Sequence, residues 1–197
     1  MARIRTFIAV EIDDAVRQRA VALQEKLGHL APGVKWVEAE SMHITLHFLG
    51  EVNQLDVVPI TRIVKDQVKR LPPFTIEFNG IGAFPTIRRP KILWVGMTEG
   101  VDELKLLHSR LEAPLIERGG YRREDRGYSP HLTLGRLSQE DRAEDWGPIL
   151  AAHADWDGGT TQVTEVLVMR SELQRDGPVY TVMGRGKLAG VPAEKEE

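Results

Sequence analysis

The sequence predicts an α+β fold, built as one unit with two lobes. Three observations favour it. The order of predicted strands and helices departs from the regular strand–helix alternation of a doubly wound parallel sheet. The pattern His-hydrophobic-Thr-hydrophobic occurs twice, at 43–46 and 131–134, slightly less than half the chain apart. No low-complexity linker divides the 197 residues.

In the first half of the chain, apolar alternation predicts strands and apolar spacing of three to four residues predicts helices. Val16, Ala20, Leu23 and Leu27 repeat at helical spacing, and Gly28 is the expected end of that helix. The expected elements are a strand over 6–12, a helix from 13 or 14 to 28, strands over 34–37 and 43–52, and a helix over 55–70 that ends before two prolines.

The second half continues with two strands, a helix and a polar, basic loop that leads into the second motif. The expected elements are strands over 74–84 and 91–97, a helix over 101–117, the loop 121–130, a strand over 131–137, a weak helix over 141–153, and strands over 160–170 and 179–187. We expect a single catalytic domain over 1–190, made of two intertwined lobes with one motif in each, and a flexible tail over 191–197.

Composition excludes several classes of protein. The formal net charge of −3 argues against a broad nucleic-acid-coating surface but permits a small basic groove. The chain has no cysteine, which removes thiol nucleophiles, disulfides and Cys-based zinc sites. No apolar run is long enough for a membrane span or a signal-peptide core. We therefore expect a cytoplasmic protein without a membrane partner.

Each motif places an imidazole beside a hydroxyl. Residues two apart on a strand share a face, so His43 and Thr45 point the same way, as do His131 and Thr133. The same alternation predicts that Phe48 points to the opposite, buried face, and that His47 lies on the His43 face as a partly exposed scaffold residue.

Two imidazoles around one phosphate suit acid and base catalysis without a metal. One histidine would deprotonate an attacking water while the other protonates the leaving oxygen. The Thr hydroxyls would donate to the phosphate oxygens. The residues alone do not decide which histidine is the acid. Since His43 and His47 lie on a strand without a carboxylate partner, zinc is not expected, and neither is any other cofactor.

The motifs resemble those of a known family. HITLHFLG at 43–50 and PHLTLGR at 130–136 are similar to the paired signatures of the RNA 2′,3′-cyclic phosphodiesterases, also called 2′-5′ RNA ligases, in the two-histidine phosphoesterase superfamily. RTFIAV at 5–10, LWVG at 93–96, SEL at 171–173 and GPVY at 177–180 extend the resemblance over nearly the whole chain.

The resemblance implies a bilobal fold of two pseudo-symmetric antiparallel sheets with outer helices around a central cleft. It implies metal-free opening of a terminal RNA 2′,3′-cyclic phosphate to a 2′-phosphate. His43 would be the proton donor and His131 the acceptor, and Thr45 and Thr133 would bind the phosphate. The expected partner is an RNA end, and the expected state is a monomer.

Further substrate contacts are expected near the second motif. Arg136 matches the family's Arg, although alternation points it away from His131 unless Gly135 permits a bulge. Arg126 would grip the RNA backbone and Tyr128 would stack on a base, against the alternative of a solvated loop with balanced charges. The basic cluster 88–91 has the same two interpretations. Trp36 and Trp94 are expected in the core.

Other functions remain open on sequence grounds. The same site could carry out 2′-5′ RNA ligation, or act on another cyclic nucleotide or an ADP-ribose cyclic phosphate. A non-catalytic module that binds RNA or a nucleotide is the alternative outside enzymes.

Overall fold

Two antiparallel sheets and four α-helices make up the part of the chain that the computed structural model describes, residues 2–30, 33–119, 121, 127–137, 146–174 and 177–191. The helices are α1 (Asp14–Leu30), α2 (Val57–Val68), α3 (Val101–Gly119) and α4 (Trp146–Ala151). The strands are β1 (Arg3–Val10), β2 (Val34–Trp36), β3 (Ile44–Asn53), β4 (Phe74–Phe84), β5 (Ile92–Glu99), β6 (Leu132–Leu137), β7 (Asp157–Val163), β8 (Glu165–Gln174) and β9 (Gly177–Lys187).

The chain passes repeatedly between the two sheets. Sheet A has the order β3-β1-β8-β9, and sheet B has the order β2-β6-β5-β4-β7. β1, β2 and β3 therefore lie in sheets A, B and A in turn. All described pairings are antiparallel, as the predicted α+β class requires. The division into catalytic domain and tail stays a prediction, and residues 192–197 lie outside the described part.

The two sheets and the helices contribute side chains to one shared apolar core. The buried residues Ile8 and Ile44 of sheet A belong to the same cluster as Leu93 and Leu132 of sheet B. On the core face of sheet A, α2 packs so closely on β9 that a Cβ at Gly184 would lie 2.2 Å from the Thr61 hydroxyl. A smaller apolar cluster lies on the opposite face of sheet A and includes Phe7 and Met169.

Two predicted element boundaries were wrong, and a third lies partly outside the described residues. The strand expected over 160–170 is two strands, β7 and β8, and the break at Thr164 carries the chain from sheet B to sheet A. Helix α1 continues through Gly28 to Leu30. The described part of the weak helix over 141–153 covers only Trp146–Ala151, and residues 141–145 lie outside the described ranges.

Among the described residues, the helices include none with the length and apolarity needed to cross a membrane.

Candidate active site

The two motif histidines are anchored in the same way, one at the start of each motif strand. His43 immediately precedes β3 in sheet A, and His131 immediately precedes β6 in sheet B. Nδ1 of His43 donates to the carbonyl of Ser41 at 2.8 Å, and Nδ1 of His131 donates to the carbonyl of Ser129 at 2.8 Å. Because a carbonyl only accepts, each neutral ring carries its proton on Nδ1 and presents the lone pair of Nε2.

The two Nε2 atoms differ in their partners. Nε2 of His43 lies 3.0 Å from the hydroxyl of Thr45, which donates to it when the ring is neutral. Within the described ranges, no hydrogen bond to Nε2 of His131 is found, and Thr133 lies half-buried on the same face as that ring.

Aromatic rings enclose both imidazoles. The ring of His43 stacks on Phe7 at 4.7 Å and meets the edge of Tyr180 at 5.2 Å. The ring of His131 meets Phe84 edge-on at 5.0 Å and lies 6.5 Å from Trp94. The prediction that Trp94 belongs to the core was wrong, because its ring lies half-buried beside the second histidine.

Burial and neighbouring charge lower the pKa of both histidines. The pKa of His43 is lowered to about 4, mainly because the ring is desolvated. The hydrogen bond to Ser41 raises this pKa, and the charge of His131 lowers it further. Desolvation also lowers the pKa of His131, against its bond to Ser129 and with a further decrease from Arg136. Both rings are therefore neutral near pH 7 in the unliganded protein.

The two motif-bearing faces meet. Desolvation is the main cause of the lowered pKa of His43 in sheet A, and the charge of His131 in sheet B lowers it further. Desolvation raises the pKa of Tyr180 in sheet A, and the charge of Arg136 in sheet B opposes that increase. The hydroxyl of Tyr128, in the approach to β6, donates to the carbonyl of Thr45 in β3 at 3.1 Å. We call the space between these two faces the cleft.

A bulge in β6 brings Arg136 into the cleft. Thr133 lies opposite Trp94 and Gly135 opposite Leu93, so Leu134 is an extra residue that reverses the alternation beyond it. Arg136 lies opposite Ile92, which shares a face with Trp94, so Arg136 shares the face of Thr133 and His131. The side chain of Arg136 is exposed there.

A buried glutamine in α1 holds that bulge. The side-chain amide of Gln24 donates to the carbonyl of Leu134 at 2.8 Å and to the carbonyl of Val37 at 2.8 Å. Gln24 is only 7% exposed. Sequence reasoning missed this residue, although a glutamine inside the apolar stripe of a helix is a signal for a buried polar contact.

A matching bulge in β3 overturns two predictions. Thr45 lies opposite Ala9 and His47 opposite Ile8, so Leu46 is the extra residue. His47 consequently leaves the His43 face, becomes 7% exposed, and donates from Nε2 to the carbonyl of His108 at 2.8 Å. Phe48 takes the cleft face, where it is 58% exposed rather than buried in the core.

The two further contacts predicted in the loop before β6 have different outcomes. The ring of Tyr128 stacks on His108 at 4.3 Å, and His108 stacks on His47 at 4.0 Å, so one face of Tyr128 is covered by protein. Its role in base stacking stays a prediction. Arg126 lies outside the described residues, as does most of the loop around it.

Among the described residues, no three His, Asp or Glu side chains come together in a group that could hold a metal ion.

Comparison with known proteins identifies the family. The family model of the LigT-like phosphoesterases matches the chain twice, over residues 10–94 and 95–180, and each match contains one His-x-Thr motif. Proteins named RNA 2′,3′-cyclic phosphodiesterase are similar over most of their length. The protein of Methanothermobacter thermautotrophicus is 32% identical, with 92% of this chain and 97% of that protein covered, and the protein of Archaeoglobus fulgidus is 32% identical, with 90% and 96% covered.

Solved structures share the fold. Escherichia coli LigT complexed with 3′-AMP gives a TM-score of 0.76 at 25% identity, with 95% of this chain and 99% of that chain covered. A Thermus thermophilus protein gives a TM-score of 0.75 at 28% identity, with 94% and 98% covered. The doubled match, the length of the similarity and the paired motif strands lead to one conclusion: the chain belongs to the LigT-like phosphoesterase family.

Proposed function

We propose that this protein hydrolyses terminal RNA 2′,3′-cyclic phosphate to a 2′-phosphate without a metal, using His43 and His131 as acid and base. The observation that carries the proposal is the pair of Nδ1-anchored imidazoles whose Nε2 atoms belong to one cleft. The substrate is proposed from relatives that are named RNA 2′,3′-cyclic phosphodiesterase.

The reaction divides between the two rings. Water attacks the phosphorus while Nε2 of His131 accepts its proton, and the bond from phosphorus to the 3′ oxygen breaks. Nε2 of His43 protonates that oxygen, which leaves a 3′-hydroxyl and a 2′-phosphate. The hydroxyls of Thr45 and Thr133 and the guanidinium of Arg136 stabilise charge on the phosphate oxygens.

The acid needs a proton that burial disfavours. With a pKa of about 4, His43 is neutral near pH 7 in the unliganded protein. A bound phosphodiester carries a negative charge, which favours the charged form of a neighbouring imidazole and raises its pKa. Substrate binding therefore supplies the condition under which His43 takes up its proton.

The pH profiles of kcat/KM and of kcat should differ. Because kcat/KM reports the unliganded protein and the pKa of both rings is lowered there, its maximum should lie below pH 6.5. The maximum of kcat should lie at higher pH, since it reports the complex. Steady-state rates from pH 4 to 9 measure both, and coincident maxima would contradict the role given to the bound phosphate.

A direct assay tests the function. In EDTA, the protein should convert an oligonucleotide with a cyclic phosphate end to a product with a 2′-phosphate, resolved by chromatography. His43→Ala and His131→Ala should each lose most activity, while His29→Ala, at the exposed end of α1, should retain it. No conversion by the wild-type protein, or full activity in both motif variants, would overturn the proposal. Incubation with 5′-hydroxyl RNA distinguishes ligation from hydrolysis.

A further inference from the structure

A second cation lies beside Arg136 on the cleft face of sheet B. In the pairing of β2 with β6, Lys35 lies directly opposite Arg136. Directly opposed residues share a face, so Lys35 shares the face of His131 and Thr133. Its neighbours Val34 and Trp36 lie on the other face, where both would contact a Cβ built on Gly135.

The pair is electrostatically unfavourable in the unliganded protein. Like charges directly opposite on a sheet repel, with Cβ atoms roughly 4.5–5.5 Å apart. Both side chains are exposed, and within the described ranges neither has an ion pair with an acid. An anion held between the ammonium and the guanidinium would turn this repulsion into attraction on both sides.

The position of the pair relates it to the reacting phosphate. Arg136 lies close enough to His131 to lower its pKa, so it belongs to the reaction centre. Lys35 is one strand further out, and β2 is the edge strand of sheet B. A substrate that continues beyond its reacting nucleotide would therefore cross Lys35 as it leaves the cleft over this edge.

We propose that Lys35, directly opposite Arg136, forms a second phosphate subsite, which binds the phosphodiester linking the terminal nucleotide to the rest of the RNA strand, next to the reacting phosphate that Arg136 contacts. The proposal rests on the proposed function and adds a direction to it, with the strand leaving over β2. A cyclic mononucleotide lacks this phosphodiester. The protein should consequently prefer a dinucleotide with a cyclic end, and Lys35 should carry that preference.

The test compares two substrates. We measure kcat/KM of each protein for a dinucleotide with a 2′,3′-cyclic phosphate end and for a nucleoside 2′,3′-cyclic phosphate. The first value divided by the second is the substrate ratio. We expect Lys35→Ala to lower the ratio about 5- to 20-fold, which is the loss of one charged contact. Lys26→Ala, an equal loss of charge on the exposed side of α1, should leave the ratio unchanged. An unchanged ratio in Lys35→Ala, or an equal decrease in Lys26→Ala, would overturn the subsite.

Salt dependence and stability separate binding from a structural role. Removal of one phosphate contact should reduce the slope of log affinity against log salt by about 0.7 for the dinucleotide. Relief of the repulsion should keep the Tm of unliganded Lys35→Ala at or above that of the wild type. A lower Tm with an unchanged slope would assign Lys35 a structural role instead.

Binding measurements test the second phosphate subsite even if the protein hydrolyses neither substrate. If the wild-type protein hydrolyses neither substrate, the proposed function fails. Affinities for a nucleoside 3′-monophosphate and a dinucleotide with a 3′-phosphate end, measured by calorimetry in the same variants, then give the ratio directly. Equal affinities in the wild-type protein would reject the second subsite on their own.

Discussion

The two motif strands share a local design, and they differ in the residue that follows the bulge on the cleft face. A His just before the strand and a Thr within it face the cleft, a bulge follows at Leu46 in β3 or Leu134 in β6, and the fifth residue after the His returns to the cleft. That residue is Phe48 in sheet A and Arg136 in sheet B. The repeated design places the reactive groups, while the differing residue gives one side of the cleft an exposed aromatic ring and the other a cation.

The largest expected effects fall on the shared residues. Removal of either histidine should lower kcat/KM by about 10²–10⁴-fold, the usual contribution of one proton transfer. If the assignment is correct, His43→Ala loses the decrease of activity at high pH and His131→Ala loses the decrease at low pH. The pH–rate profiles of the two variants measure this. If each variant showed the profile expected of the other, His131 would be the proton donor and His43 the acceptor.

The cation of sheet B comes next. Arg136→Ala should lower kcat by about 10²-fold, because it removes one donor aimed at the charged phosphate. Arg136→Lys should recover part of the rate, since it keeps the charge and loses the bidentate geometry. Steady-state kinetics measure both variants against Arg62→Ala on the distant helix α2. Equal rates for the wild type and Arg136→Ala would contradict a role of the sheet B cation in stabilising the phosphate.

The aromatic ring of sheet A should act on binding. Stacking on a base contributes about 1–3 kcal/mol, so Phe48→Ala should raise KM by roughly 5- to 50-fold with little change in kcat. As the ring is 58% exposed, the Tm should change little. Leu55→Ala, which truncates a side chain that is 67% exposed away from the motif, provides the control. A decrease in Tm without a change in KM would make Phe48 a packing residue.

The smallest effect on activity is expected at the support of the β6 bulge. Gln24→Leu leaves the carbonyls of Leu134 and Val37 without their side-chain donor, at a cost of about 1–3 kcal/mol in the free energy of unfolding. We expect a decrease in kcat of less than about 10-fold, from a less well positioned Arg136. Denaturant unfolding and kinetics measure the two effects. Gln18→Leu, on the exposed face of the same helix, should show neither.

Sequence patterns predicted the motif strands and the helices but missed what depends on the neighbouring strand. The shared faces of His43 with Thr45 and of His131 with Thr133 follow from alternation within three residues. The exchange of His47 and Phe48 does not, because the bulge arises where β3 has one residue more than β1 opposite it.

The same limit applies to contacts between distant segments. The ring of Tyr128 stacks on His108, a residue of α3 that is distant in sequence, and no pattern in the sequence predicted this contact. The edge of Tyr180 beside His43 comes from β9 near the other end of the chain. Such contacts are set by the packing of whole elements, which a local pattern does not record.

The strand order of sheet A also affects how the chain is made. The inner strand β1 pairs with β8, where Arg5 lies opposite Ser171, so one edge of β1 has no partner until most of the chain has left the ribosome. Contacts this distant in sequence slow folding, and an unpaired strand edge is a template for association with another chain. The hairpin of β8 and β9 therefore completes the surroundings of His43 and, in the same event, ends the interval in which the newly made chain is most exposed to aggregation.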